Sequence, residues 1–179
     1  RDAVSACNRL ANDICIAVAG DAGVSFVEVS SHLGARIGDG EHDHTNHAWW
    51  QGKIYKIIGD GTPEEDEVIG YHIRNLSETT GYGEVDGLGG VNCRHRMFPF
   101  ILGISHPMAT TYDPEENAKV YQINQKLQKM EVNERKWKRV VQALRKLPES
   151  IEQKKKLQSA KKHVSDIQNR IIEFTEENG

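Results

Sequence analysis

Apolar residues recur at two different periods along this chain, and the change of period marks its main division. Residues 2–19 place Val4, Cys7, Leu10, Ile14 and Ala17 or Val18 at steps of three and four, the spacing of an amphipathic helix. On that helix Cys7 and Cys15 read as small buried apolar residues. The turn Gly20-Asp21-Ala22-Gly23 ends it. Residues 24–29 alternate apolar with polar and predict a strand, and a second strand is expected over 53–58. Between them, 31–48 reads as a loop that closes on the polar stretch DGEHDHTNH. The run GDGTPEEDE is a turn by composition, and 73–80 predicts a short helix leading into a glycine-rich loop. A last apolar run, 97–102, predicts a strand that Pro99 confines to a sheet edge or a bulge, because proline has no N–H for a ladder.

From Asp113 onward the helical period takes over. Asp113-Pro114-Glu115-Glu116 combines a capping carboxylate, a proline at the first helical position and acids in the first turn. Val120, Ile123, Leu127, Met130, Glu134, Trp137, Val141 and Leu144 then step by three and four, with only Glu134 polar. Pro148 interrupts, and Leu157, Ala160, Val164, Ile167, Ile171 and Phe174 resume the spacing. Two such helices about a Lys-Leu-Pro-Glu break predict an antiparallel hairpin of coiled-coil type. Its first helix would be roughly 50 Å long, more than a small body is wide, so the hairpin is expected to project. The expected class is α+β. A small mixed body over 1–112, with a short β-sheet and glycine-rich loop, precedes a long helical hairpin over 113–179.

Composition refines this picture. The 179 residues are 37% hydrophobic and 27% charged, enough for one domain with a core and an appendage. No apolar run approaches the roughly 20 residues of a bilayer span, so no membrane partner is expected. Three cysteines, Cys7, Cys15 and Cys93, make no disulfide framework. The first residue is Arg1, with no initiator Met or signal peptide, and the chain is expected to be a piece of a longer one. The mean charge of −3 hides a division. Residues 1–113 hold 8 Lys/Arg against 16 Asp/Glu, and residues 114–179 hold 15 against 10. A basic rear segment points either to a solvated helix face or to a surface for DNA or an acidic partner.

The candidate chemistry gathers in the segment 81–96. Glycines at 81, 83, 87, 89 and 90 shape a loop that delivers Asn92-Cys93-Arg94-His95. Three readings compete. Cys93 and His95, with His42, His44 and His47, are candidate ligands for zinc or a similar ion, although the lone cysteine lacks the paired spacing of structural zinc sites. His32, Arg36, His47, Lys53, Arg94 and His95 supply the acid, base and cation types of a metal-independent nuclease or of a toxin-like effector. An acidic front region opposes that reading by repelling a polyanion. Cys93 beside a histidine also suggests a nucleophile, but no third residue to orient the base is evident. Trp49, Trp50, Tyr55, Tyr71 and Tyr82 are either stacking platforms or core aromatics. No Gly-Lys-Ser/Thr phosphate loop and no internal repeat are present.

Taken in order, several blocks resemble the phage minor capsid protein 2 family of tailed phages and prophages of Gram-positive bacteria, related in role to the Mu F-type head morphogenesis proteins. They are Val27-Glu28-Val29-Ser30-Ser31-His32 with Gly34-Ala35-Arg36, then His47 and Trp50-Gln51-Gly52-Lys53-Ile54-Tyr55. Thr80-Gly81-Tyr82-Gly83, Gly87-Leu88, Gly90, Asn92-Cys93-Arg94-His95, Pro99-Phe100 and Gly103-Ile104-Ser105 follow. The blocks cover roughly 24–106; the basic stretches Gln125-Lys126-Leu127-Gln128 and Lys136-Trp137-Lys138-Arg139 are similar more loosely. Two departures stand out: an acidic, His-rich insertion over 39–46, and the lack of the family's larger N-terminal helical region beyond 1–20.

The resemblance implies a minor head component of the virion, assembled in the host cytoplasm and acting in head assembly, DNA packaging or delivery. Portal or major capsid protein, and DNA along the basic hairpin, are the implied partners; no cofactor is expected unless the zinc reading above holds. Under this reading Gly34, Trp50, Gln51, Gly52, Gly81, Tyr82, Gly83, Asn92 and Cys93 form a structural motif. His32, His47 and Arg94 then act as internal bonds of the small body, Arg94 against an acid.

Overall fold

The computed structural model describes residues 2–38, 40, 42–57, 66–68 and 71–178. The chain divides into two compact units, residues 1–121 and 122–179. The first unit contains α1 (Asp2–Asp21), β1 (Phe26–Val29), α2 (His47–Trp50), β2 (Ile54–Lys56), β3 (Asp66–Val68), β4 (Tyr71–Asn75), α3 (Leu76–Thr80) and β5 (Met97–Phe100). Helix α4 (Pro114–Arg145) begins in it, and α5 (Ile151–Asn178) belongs to the second unit. The α+β expectation holds: a mixed sheet with a long helix pair at the C-terminal end.

The strands form one sheet in the order β3-β4-β2-β1-β5. β1 pairs antiparallel with β2 and β5, β3 with β4 likewise, and β2 runs parallel to β4. β5 is therefore an edge strand, where Pro99 was expected. Ser30 N bonds to Arg96 O, which sets the alternation along β5. The outward amide of Met97 is held by Asn12 Oδ1 at 2.9 Å, and that of Ile101, just past the strand, by Ser105 Oγ at 3.0 Å.

Side-chain alternation gives the sheet two covered faces. Val27, Val29, Tyr55 and Met97 pack on one face with Trp50, Leu76, Leu88 and Cys93, flanked by Cys15 and Ile16 of α1. Ile54, Ile73 and Phe100 form a smaller cluster on the other. Glu28, 2% exposed and opposite Ile54, is buried because its Oε1 accepts the amides of Met108 and Ala109 at 2.8 and 2.7 Å. A buried carboxylate with two amide donors keeps its hydrogen bonds while leaving water.

Several expectations are corrected. The first strand is shorter than 24–29, and α2 begins at His47 inside the expected loop 31–48 and runs on to Trp50. Residues 73–75 end β4, and the helix begins only at Leu76, because Asn75 is both the last strand residue and the cap that accepts the Glu78 amide. Most of GDGTPEEDE lies outside the described residues, and Asp66 and Glu67 at its end are in β3. The orientation of α1 differs most. Val4, Leu10, Ile14 and Val18 are 54–60% exposed, and Cys7 is exposed as well. Asn8 and Asn12 point inward at 6% and 1% exposure because their amides bond backbone groups of the 93–97 segment.

In the second unit the two helices run antiparallel. Glu134 accepts from Gln168, Trp137 stacks on His163 at 4.5 Å, and Gln153 Nε2 donates to Leu144 O, so contacts descend one helix as they climb the other. Asp113 Oδ1 accepts the Glu116 amide and Ser150 Oγ the Gln153 amide, capping α4 and α5. Glu134, the single polar residue of the stripe, is bonded to Gln168 and to Lys138 at 2.7 Å.

Candidate functional site

Three segments distant in sequence meet under the glycine-rich loop on the α1 side of the sheet. Cys93 and His95 are two apart in extended backbone, so their side chains share a face while Arg94 points away. Accordingly Cys93 and His95 are 2% and 0% exposed, and Arg94 is exposed. Asn92 enters the segment at φ 60°, a left-handed conformation asparagine tolerates better than most residues, with its amide on Ser5 Oγ. From α1, Asn8 Nδ2 bonds Cys93 O and Asn12 Nδ2 bonds His95 O.

The one-turn helix α2 supplies the second wall. Asn46 caps it by accepting the Trp49 amide, and the three-residue spacing puts His47 and Trp50 on one side. Their rings lie 4.4 Å apart, and His95 sits 4.7 Å from Trp50 and 5.4 Å from His47. His32, from the loop after β1, stacks on His95 at 4.4 Å. Gln51 Oε1 accepts the His32 amide and lies 3.0 Å from His95 Nε2. Since that oxygen only accepts, His95 Nε2 carries the hydrogen. His95 Nδ1 is 3.5 Å from Cys93 Sγ, and His47 Nε2 is 2.7 Å from Asp86 O, another acceptor.

Glycine lets the loop close over this cluster. A Cβ on Gly87 would stand 2.1 Å from Gly81 O, and one on Gly90 2.4 Å from Val85 O, both backbone atoms. Arg36 ties the loop down, its guanidinium donating to Asp86 O and Val91 O at 2.8 Å each. Asn117, at the start of α4, holds the segment before Arg36: Oδ1 accepts from Gly34 and Ala35, and Nδ2 donates to Ala35 O.

Burial dominates the electrostatics. It holds His95 well below the usual histidine range, with His32 and His47 adding to the effect. It lowers His47 to about 4 and His32 in the same direction, and it raises the Cys93 thiol. The three imidazoles and the thiol are therefore neutral near pH 7, the form in which imidazole binds a metal. One ligand atom from each of His47, Cys93 and His95 lies within 4.8 Å of the others.

The candidates thus separate. Of the expected metal ligands, His47, Cys93 and His95 converge. His42 lies elsewhere, edge-on to Trp49 and beside Arg74, and His44 faces Asp43 and Asp86. Of the nuclease set, His32, His47 and His95 meet, Arg36 is committed to two carbonyls, and Lys53 lies over the Trp49 ring at 4.9 Å. Arg94, expected against an acid inside the body, is exposed. Trp50 and Tyr55 are core residues, joined by Tyr55 OH to Trp50 O, whereas Tyr82 packs against the core with its hydroxyl on Asp13. Asn8, Asn12 and Asn117 do much of the work of holding the site and are not singled out by the sequence. The only trace of them there was an Asn pair four apart on α1.

The chain is similar to a protein named "Structural protein" of Lactococcus phage LL-H, 30% identical over 92 residues, which are 49% of this chain and 22% of that protein. It is also similar to a "Structural protein" of Lactococcus phage mv4, 34% identical over 58 residues, or 32% of this chain and 47% of that one. The chain thus spans less than half the length of both relatives. No solved structure matches it. The profile of the phage minor capsid protein 2 family covers residues 2–176, and the chain belongs to that family as a phage structural protein.

Proposed function

We propose that this chain is an architectural module of the phage head, carried in the virion after assembly in the host cytoplasm. It acts in head assembly, genome packaging or delivery by docking on portal or major capsid protein, with the basic helix pair as a contact surface for protein or DNA. One observation supports an architectural role over a catalytic one. The polar side chains of the motif are engaged with backbone groups of other segments: Arg36 with Asp86 and Val91, His47 with Asp86, Asn117 with Gly34 and Ala35. A general acid and base has to reach a substrate proton, whereas these groups tie loop to loop.

The test sets His95→Ala and Arg36→Ala against the unaltered chain. The expected result is no cleavage of RNA or DNA by any of the three and a melting temperature lowered by each substitution. Cleavage by the unaltered protein that His95→Ala abolishes at unchanged melting temperature would overturn the reading. In particles, the protein should be recovered with purified heads; its absence from them would count equally against it.

A further inference from the structure

We propose that His47, Cys93 and His95 form a binding site for one zinc-class divalent cation, ligated by two imidazole Nδ1 atoms and a thiolate. The inference stands on the local geometry and does not depend on the assembly role. Three features of the cluster carry it.

The first is tautomer. The Gln51 oxygen on His95 is identified by the His32 amide that also donates to it, so His95 Nε2–H is fixed and Nδ1 holds a lone pair. His47 Nε2 is fixed as a donor by the Asp86 carbonyl in the same way. An imidazole whose outer nitrogen donates to a protein oxygen is the arrangement that orients metal-binding histidines.

Separation is the second. With bonds of about 2.3 Å to sulfur and about 2.0 Å to nitrogen, a tetrahedral zinc centre puts its S and N ligands about 3.5 Å apart. Cys93 Sγ and His95 Nδ1 are 3.5 Å apart, and the whole triad lies within 4.8 Å. Closing the widest edge, up to 4.8 Å, takes up to about 1.5 Å, within reach of rotating the side chains about their χ angles.

Donor set is the third. One thiolate with two imidazoles suits zinc, leaving a fourth vertex for a solvent ligand. All three ligands are buried, and their segments are anchored by Asn8, Asn12 and Asn46, so they are preorganised. On binding, the cation takes the Cys93 sulfur lone pair and the thiol proton leaves to solvent. Each metal bound releases one proton.

The full chain, stripped with a chelator, is titrated with Co²⁺ alone and then with Zn²⁺ alone. The expected result is saturation at one equivalent, with thiolate-to-cobalt charge-transfer absorption, one proton released and displacement of Co²⁺ by Zn²⁺. The band should persist when Cys7→Ser and Cys15→Ser are combined, leaving Cys93 as the sole thiol, and vanish in Cys93→Ser. Gln51→Met, which keeps all three ligands but frees His95 Nε2, should weaken Co²⁺ binding about 10- to 100-fold. A folded chain that shows no thiolate band at stoichiometric Co²⁺ would overturn the proposal. So would a band lost from the double cysteine variant, which remains decisive if Cys93→Ser fails to fold.

Discussion

Single polar side chains hold this body together at points where the backbone has no partner of its own. Asn117, 3% exposed, satisfies two amides and a carbonyl of the 34–35 segment. Asn117→Leu strands these groups, and a loss of about 2–4 kcal/mol is expected in denaturant unfolding, with an unchanged slope. The histidines make a second prediction. In chelator-treated protein His47 is lowered to about 4, below its unfolded value near 6.5, and burial lowers His95 in the same direction. The unfolded chain then binds more protons than the folded one across that interval. Stability is full above about pH 6.5 and falls as pH drops toward about 4, by about 1.4 kcal/mol per pH unit per histidine. Melting temperatures measured from pH 7 to 5 should decline, and His47→Gln should flatten the decline. This chemistry was partly legible: the residue types in Asn92-Cys93-Arg94-His95 marked the place. Which of five candidate metal ligands converge was not, because His42 and His44 lie within five residues of His47 yet face other groups.

Elements with local punctuation were the easiest to read. Asp113 and Pro114 start α4, and Pro148 separates it from α5, because capping and the missing proline N–H act within a few residues. The facing of α1 departs from its apolar stripe for the opposite reason. Its apolar stripe is a local pattern, but its inward side is chosen by Asn8 and Asn12, whose partners lie over 80 residues away. Glycines give a test at this scale. Gly87→Ala forces a methyl against the Gly81 carbonyl and should unfold the body or cost about 3 kcal/mol or more. Gly23 has φ +68° with open space around it, so Gly23→Ala should cost only about 1 kcal/mol of backbone strain. Similar losses from the two substitutions would mean that the loop is not packed as described.

Across the whole molecule the charge is divided, with an excess of five Lys/Arg in residues 114–179. If this segment contacts DNA, counterion release makes binding fall steeply with salt, about 10³-fold or more between 50 and 200 mM for six or more phosphate contacts. Fluorescence anisotropy with a DNA duplex at several salt concentrations measures this, and a flat response would remove DNA from the partners. The edge of the sheet constrains association in another way. Along β5 the Met97 and Ile101 amides are already taken, and Pro99 between them has none. A neighbouring chain therefore meets carbonyl acceptors but no backbone donor along that rim, which leaves half of a ladder unmade and disfavours lengthening the sheet there. Even where copies crowd together, this border resists fibre-like stacking, and any lasting grip on it has to come from side-chain complementarity.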